Sequence, residues 1–386
     1  MWKTDTMKSR LKDILFRNPI WESIVRKEIP PSEWLKTKTL GLGLISAYLL
    51  AILTLTGILL MFYYIPDTEK AYQSMKDIEY VISFGLIIRN MHRWAAYLMI
   101  VSTFLHLSRV FYMAEYRKPR EFNWVTGLLM FICVLAMADT GYLLPWDQKA
   151  YWGMTILSNV ISAVPLIGEQ LKYVLLGGTE VGQNVLLRSY NMHVKVFPMI
   201  LVFLMGIHFW RIRKDDILAG PLAQEDTVAP AAGNIPGPND PGRQIAIGWS
   251  DIIKRESSKF LLILAIVMGM SLVFNAPLEE IANPSVTPNP AKAPWFFLHL
   301  QEMLSWGSPF WWAILVPSIM ILFFILIPYL DRGSVGTGVW FDPSRRISNI
   351  LFTAFVTVMI GLIIIGEFMR GPGWVFYWPW ESWPTP

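Results

Sequence analysis

Residues 86–110 read LIIRNMHRWAAYLMIVSTFLHLSRV. A helix of this length that is apolar on nearly every face has no aqueous surface to turn outward, so the run is a membrane span. Two imidazoles, His92 and His106, interrupt it. Ionisable side chains at such depth are costly and mark function. They are fourteen residues apart, which on a helix is about 21 Å of rise and nearly four turns, so both point the same way near opposite membrane faces.

A second run, YNMHVKVFPMILVFLMGIHFWRI at 190–212, repeats the arrangement with His193 and His208 fifteen apart, so four of the chain's five histidines sit in two spans. If these spans are antiparallel neighbours, His92 meets His193 at one level and His106 meets His208 at the other, giving two bis-imidazole sites. A single intramembrane histidine is explained by a hydrogen bond to a neighbouring helix; two matched pairs are not. Two further apolar runs carry glycines at the same period, Gly43 and Gly57 in one, Gly127 and Gly141 in the other. Glycine also permits plain close helix packing. The shared period instead favours a flat macrocycle resting on bare backbone at both levels, with haems between four helices. Iron held by two histidines has no open position, so such haems carry electrons rather than activate oxygen. Arg89, Arg109 and Arg188 lie three or five residues from His92, His106 and His193. They suit haem propionates, the bland alternative being snorkelling to the interface.

Working outward, seven stretches are long and apolar enough to span, at about 40–64, 83–108, 124–144, 190–212, 258–275, 309–330 and 348–368. With 54% hydrophobic and 16% charged residues among 386, a soluble fold is excluded. The expected fold is all-α and integral to the membrane: a haem-binding four-helix bundle followed by three C-terminal spans. It divides into an amphipathic surface segment at 1–39, the four-helix unit at 40–214, a polar Pro/Gly-rich linker at 215–257, the three-helix unit at 258–370 and an aromatic tail at 371–386. Apolar pieces such as 155–167 are too short to cross and read as interfacial helices.

Basic residues mark the cytoplasmic side. They gather before the first span (Arg26, Lys27, Lys36, Lys38), after the second (Arg117, Lys118, Arg120), after the fourth (Arg211, Arg213, Lys214) and before the seventh (Arg345, Arg346), always on one side. That puts the N-terminus on the negative (n) side, in the cytoplasm, and the C-terminus with Trp374, Trp378, Trp380 and Trp383 on the positive (p) side. No cleavable signal peptide is read at the N-terminus. A net charge of +4, spread through short basic loops, says nothing for nucleic acid. The single cysteine, Cys133, excludes a disulfide framework and a Cys-rich metal cluster within the chain.

From Ile29 to about Arg346 the chain resembles cytochrome b of the respiratory complex III family, above all its chloroplast branch, in which the protein is split into two subunits. The resemblance rests on IPP at 29–31, FYY at 62–64, IIRNMHRW at 87–94, KPREFNWVTG at 118–127, TGYLLPWDQ at 140–148 and the histidine spacing of the fourth span. Its second half rests on NAPLEE at 275–280, PNPAKAPWFF at 288–297 and PYLDR at 328–332. The resemblance implies two non-covalent b haems on the four histidines, with Arg89, Arg109 and Arg188 on propionates. It also implies a p-side quinone pocket at Pro145, Trp146, Asp147, Trp295 and Phe296, and an n-side pocket near Arg213 and Asp251. The partners it implies are a quinone, a Rieske iron–sulfur protein and a c-type cytochrome, in a homodimeric complex of a bacterial-type inner membrane.

Two departures from the family pattern stand out. The chloroplast branch attaches a third haem through a cysteine at the position of Gly41, so no covalent haem is expected. The p-side motif Pro-Glu-Trp-Tyr reads Ala293-Pro294-Trp295-Phe296, so its carboxylate is missing, and Asp147, His299 and Glu302 are the candidate proton acceptors. Each has a plainer role available: a turn cap for Asp147, an interfacial pairing for Glu302, and an interfacial polar residue for His299. The leading expectation is the membrane core of a quinol:cytochrome c oxidoreductase. The alternative is a dihaem membrane anchor without bifurcation, and a third class, a transporter or structural membrane protein, predicts no haem band.

Overall fold

The computed structural model describes residues 41–214 and 249–383. Helix α1 (Leu42–Met61), a short α2 (Ala71–Tyr80), α3 (Gly85–Tyr112) and α4 (Glu121–Leu143) come first. They are followed by α5 (Gln148–Ser162), α6 (Gly168–Leu176) and α7 (Gln183–Asn191), which runs through a π-helical turn, Met192–Val196, into α8 (Phe197–Lys214). The second half comprises α9 (Trp249–Val273), α10 (Leu298–Leu304), α11 (Val316–Leu330) entered through a π turn at Phe310–Leu315, and α12 (Arg346–Ile364) left through one at Ile365–Met369. Among the described residues seven helices are long and apolar enough to cross a membrane, and pairing outside helices is limited to the isolated bridges Asp147 with Ile281 and Arg370 with Phe376. The protein is an all-α, multi-pass membrane protein.

Helix α1 packs along α3, α4 along α8, and α9 against both α3 and α1. Leu49, Ile52, Ala95, Met99, Cys133, Val134, Leu201 and Val267 form the shared core. The outer faces remain apolar and uncovered, with Leu55, Phe203, Leu272, Leu322 and Leu351 all more than half exposed. Only hydrocarbon suits such a surface, and helices satisfy their own backbone groups there.

Two of the π turns have a local cause. Pro198 has no N–H for the carbonyl of Val194, and Pro317 none for that of Ala313, so the chain widens by one residue just before each proline. At the turn into α3, a Cβ on Gly85 would stand 2.1 Å from the carbonyl oxygen of Ile78, so only glycine lets α3 leave α2 this closely.

The expected boundaries shift in three places. The fourth span starts at Gln183 rather than 190, because its first nine residues form a polar-edged extension that hydropathy does not register. The linker read as 215–257 gives way to helix at Trp249, whose first turns are charged. Helix α2 lies in a connection read as loop. The surface segment at 1–39 and the centre of the linker lie outside the described residues.

At the arginine-rich end, the Arg117 guanidinium pairs with Asp331 at 2.5 Å and Arg345 lies 3.6 Å from the same carboxylate. Tyr116 donates to it at 2.6 Å. This knot joins the end of α3 to α11 and α12. At the opposite end Asn90 donates to Ser271 O at 2.9 Å and accepts from Ala276 N at 2.8 Å, and Gln148 N and Ala282 N bond Glu280 O and Trp146 O. The two halves of the chain are therefore fastened at both ends of one bundle.

Candidate haem and quinone sites

His92 on α3 and His193 in the π turn face each other with ring centres 6.1 Å apart. Thr56 Oγ1 lies 2.9 Å from His92 Nδ1 and 2.8 Å from the carbonyl oxygen of Ile52. With its hydroxyl proton on the Ile52 carbonyl, Thr56 Oγ1 is placed to accept from Nδ1–H of His92. His193 Nδ1 lies 2.8 Å from Met137 O, which likewise requires a proton on Nδ1. Both imidazoles thus present a bare Nε2, the tautomer that binds metal. A ring separation of this size would suit two imidazoles that hold one metal ion between them.

The glycines fall where the histidines do. A methyl group on Gly57 would lie 3.2 Å from His92 Cε1, and one on Gly141 2.5 Å from His193 Cε1. At the other level Gly43 meets the His106 ring at 3.2 Å and Gly127 the His208 ring at 3.6 Å. His106 is within electrostatic range of His208 and Arg109, and His208 Nδ1 is buried without a partner. The structure places His92 and His193 with Gly57 and Gly141, and His106 and His208 with Gly43 and Gly127. The π turn explains the fifteen-residue period, because one extra residue in a widened turn restores the phase of a fourteen-residue α-helical spacing. Paired imidazoles with glycine neighbours at both levels, set in an apolar surround, would suit a planar iron porphyrin.

The three arginines singled out from sequence all have protein partners. Arg89 is buried, pairs with Glu79, and donates to Ala276 O and Pro277 O at 2.8 Å each. Arg109 pairs with Glu115 at 2.9 Å. Arg188 donates to Val174 O. Arg93, passed over in the sequence although it follows His92, points into a cavity of about 260 Å³. That cavity is lined by Gly57, His92, His193, Gly141, Pro145 and Phe296, among others.

Pro145 and Phe296 thus share one space with the His92 level. Trp295 packs edge-on to Tyr97 at 5.7 Å. Trp146, in a left-handed conformation (φ 53°), is buried with Tyr64, Met75 and Leu143 instead of facing that cavity. The candidate proton acceptors also stand outside its wall. Asp147 caps α5, accepting from Ala150 N at 2.9 Å and Glu279 N at 3.2 Å, and burial raises its pKa against those hydrogen bonds. Glu302 is fully buried and clasped by Arg370, with Trp374 Nε1 at 3.1 Å. His299 has an unpartnered Nδ1, and burial lowers its pKa to about 4, so it is neutral at pH 7. The side chains of Arg213 and Asp251 lie outside the described ones.

Fold and site together describe an all-helical membrane protein with paired histidines among its first four spans. The chain matches the family described as Cytochrome b/b6/petB over residues 27–216 and that described as Cytochrome b(C-terminal)/b6/petD over 281–380. It is 39% identical over 209 residues to the menaquinol:cytochrome c reductase cytochrome b subunit of Geobacillus thermodenitrificans, covering 53% of this chain and 93% of that one. It is also 42% identical over 167 residues to cytochrome b6 of Auxenochlorella protothecoides, covering 43% and 77%. A solved structure titled Hyperthermophilic respiratory Complex III shares the fold, with a TM-score of 0.72 at 23% identity over 92% of this chain and 91% of that one. The chain belongs to the cytochrome b family and carries the family's N- and C-terminal parts in one polypeptide.

Proposed function

We propose that this chain is the membrane core of a quinol:cytochrome c oxidoreductase, passing electrons between a p-side quinol-oxidising site and an n-side quinone-reducing site. The observation that carries the reading is the tautomer-locked pair His92 and His193, which shares a cavity with Pro145 and Phe296. Two non-covalent b haems, held by His92 with His193 and by His106 with His208, supply reversible one-electron chemistry when bound. The chain's own contribution is to fix the imidazole tautomers, to keep water from the space between them, and to open that space to a quinol on one side. Oxidising quinol to quinone releases two electrons and two protons on the p side. One electron goes to a Rieske iron–sulfur protein and on to a c-type cytochrome; the other crosses the membrane to quinone, which takes up protons on the n side.

The basic clusters place the N-terminus in the cytoplasm of a bacterial-type inner membrane and the tryptophan-rich tail on the p side. Arg213 and Asp251 are assigned to the n-side quinone, and the complex is a homodimer. The test is purification of the intact complex. A reduced-minus-oxidised spectrum with two b-type centres, together with a co-purifying Rieske protein, a c-type cytochrome and quinol-dependent reduction of that cytochrome, is the expected result. Pro294 in place of the family's glutamate favours one other reading, a dihaem anchor that trades electrons between a quinone pool and a different redox module. Haems present with no Rieske partner and no p-side quinol oxidation would establish that reading instead.

A further inference from the structure

Between Asn289 and Glu302, regular structure is confined to the 3₁₀ turn Trp295–Phe297 and the start of α10. Gln301 braces the segment from within, accepting from Ala293 N at 2.6 Å and donating to Ala291 O at 2.7 Å. At its centre Phe296 lines the cavity shared with His92 and His193, and Trp295 packs on Tyr97. An irregular stretch like this drifts unless neighbouring groups fix its backbone.

Those groups come from the far end of the chain. Beyond α12 the chain doubles back in a narrow hairpin, in which Gly371 N donates to Val375 O at 3.0 Å and Tyr377 N to Met369 O at 2.8 Å. A Cβ on Gly371 would stand 2.7 Å from the Tyr377 ring, so the hairpin closes this tightly only on glycine. Its turn passes through Gly373 and Trp374, both left-handed (φ 65° and 59°). The turn presents Gly373 N to Asn289 Oδ1 at 2.5 Å and Trp374 Nε1 to Glu302 Oε2 at 3.1 Å. Arg370 gives three further bonds to Glu302. Between these ends, Lys292 donates to Glu367 O at 2.5 Å and lies 4.9 Å from the centre of the Trp383 ring. The tail thus grips the segment at Asn289, Lys292 and Glu302, with Trp295 and Phe296 held between the grips.

We propose that the hairpin from Arg370 to Tyr377 is a positioning clamp for the quinol site: it sets where Trp295 and Phe296 stand, although none of its residues lines the cavity. The proposal deepens the quinol-oxidising reading and rests on it for the identity of the ligand. Asn289 and Trp374 are its positioning residues, acting on the cavity wall through the backbone between them.

Asn289→Ala and Trp374→Phe, made together in the intact complex, release one tether at each end of the segment and strand no charge. Small misplacements remote from the chemistry cost up to about 100-fold, so kcat/KM for quinol should fall by ~10- to ~100-fold with both haem spectra unchanged. The amides of 289–302 should meanwhile exchange faster with deuterium. Asn289→Asp keeps the acceptor for Gly373 N and should match the parent, as should Trp380→Ala at the exposed outer part of the tail. An unchanged kcat/KM in the double variant overturns the proposal. A fall in kcat/KM without faster exchange overturns it too, since the loss then does not come from a released segment. Should the double variant fail to assemble, Asn289→Ala alone is judged by the same two measurements. In a complex that oxidises no quinol, faster exchange in the double variant upholds the clamp while refuting the function proposed above, and unchanged exchange overturns the clamp as well.

Discussion

Thr56 accepts the Nδ1 proton of His92 at 2.9 Å while donating its own hydroxyl proton to the carbonyl of Ile52, one turn back on α1. The bond ties one helix of the four-helix bundle to a histidine on another and suits a proton on Nδ1. Thr56→Val keeps the shape and removes the acceptor. Loss of such an outer hydrogen bond typically costs about 10- to 100-fold in metal affinity or activity, so the variant should release haem from the His92 level more readily than from the His106 level. Thr56→Ser should behave as the parent. Equal haem retention in Thr56→Val and Thr56→Ser would count against a role for the hydroxyl.

The ligand pairing yields a sharper pattern. Replacing His92 or His193 by alanine should remove one spectroscopic b centre, and replacing His106 or His208 the other. The grouping follows from the 6.1 Å approach of the first pair and from the glycine each ring touches. Iron content and low-temperature difference spectra of the four variants decide it; a loss shared by His92 and His208 would contradict the arrangement.

Glycine sensitivity should be unequal at the two levels. A methyl group at residue 141 would press on His193 at 2.5 Å, whereas one at residue 127 meets His208 at an ordinary 3.6 Å. Overpacking of this kind costs about 1–3 kcal/mol. Gly141→Ala is therefore expected to displace His193 and deplete the haem of that level, while Gly127→Ala leaves its own nearly intact. Equal depletion at the two levels would show that the ring positions differ from those described here.

Most of the site was readable from the sequence because it repeats: four histidines and four glycines at nearly one period need only a helix to bring them into register. The exception, fifteen residues between His193 and His208, is explained by Pro198, whose missing N–H opens the π turn; the proline was visible, but its consequence for phase was not. What stayed hidden depends on tertiary partners. The pairing of Arg89 with Glu79 could not be read, because Glu79 comes from α2, an element too polar and short for hydropathy to detect. Arg93 went unnoticed for a similar reason, since its stacking on Tyr97 and Tyr142 is a property of the folded neighbourhood. Likewise Glu302, read as a candidate proton acceptor, is held by Arg370 from the far end of the chain.

That last pair makes a stability prediction. Glu302 is 2% exposed and takes three hydrogen bonds from Arg370 and one from Trp374, pinning the tail to the helix that follows Trp295 and Phe296. Removing one partner of a buried ion pair strands the other and costs about 3–5 kcal/mol. Arg370→Met should lower the unfolding temperature markedly, and the double variant Glu302→Gln with Arg370→Met should recover much of the loss. If the two single variants and the double variant show additive losses in detergent melting curves, the pair is uncoupled.

Asp147 remains the first choice for accepting the p-side proton of quinol, the role that Pro294 cannot fill. It follows the cavity-wall residue Pro145 by two positions, and burial pushes its carboxyl above the usual carboxylate range, toward the affinity a proton acceptor needs. His299 comes second: burial lowers its pKa to about 4, which makes it a weaker base than an ordinary histidine. The two roles of Asp147 can be separated. Asparagine caps a helix as well as aspartate does, so Asp147→Asn keeps the bond from Ala150 N and gives up only the acceptor for Glu279 N. Stability should fall by no more than about 1–3 kcal/mol, the cost of one unsatisfied buried group. General-base assistance is worth about 100- to 10,000-fold, so quinol:acceptor turnover should drop by at least ~100-fold with both haem spectra unchanged. Near-normal turnover in Asp147→Asn, with the same melting behaviour, would leave Asp147 as a cap alone and pass the proton to His299, where His299→Ala makes the corresponding test.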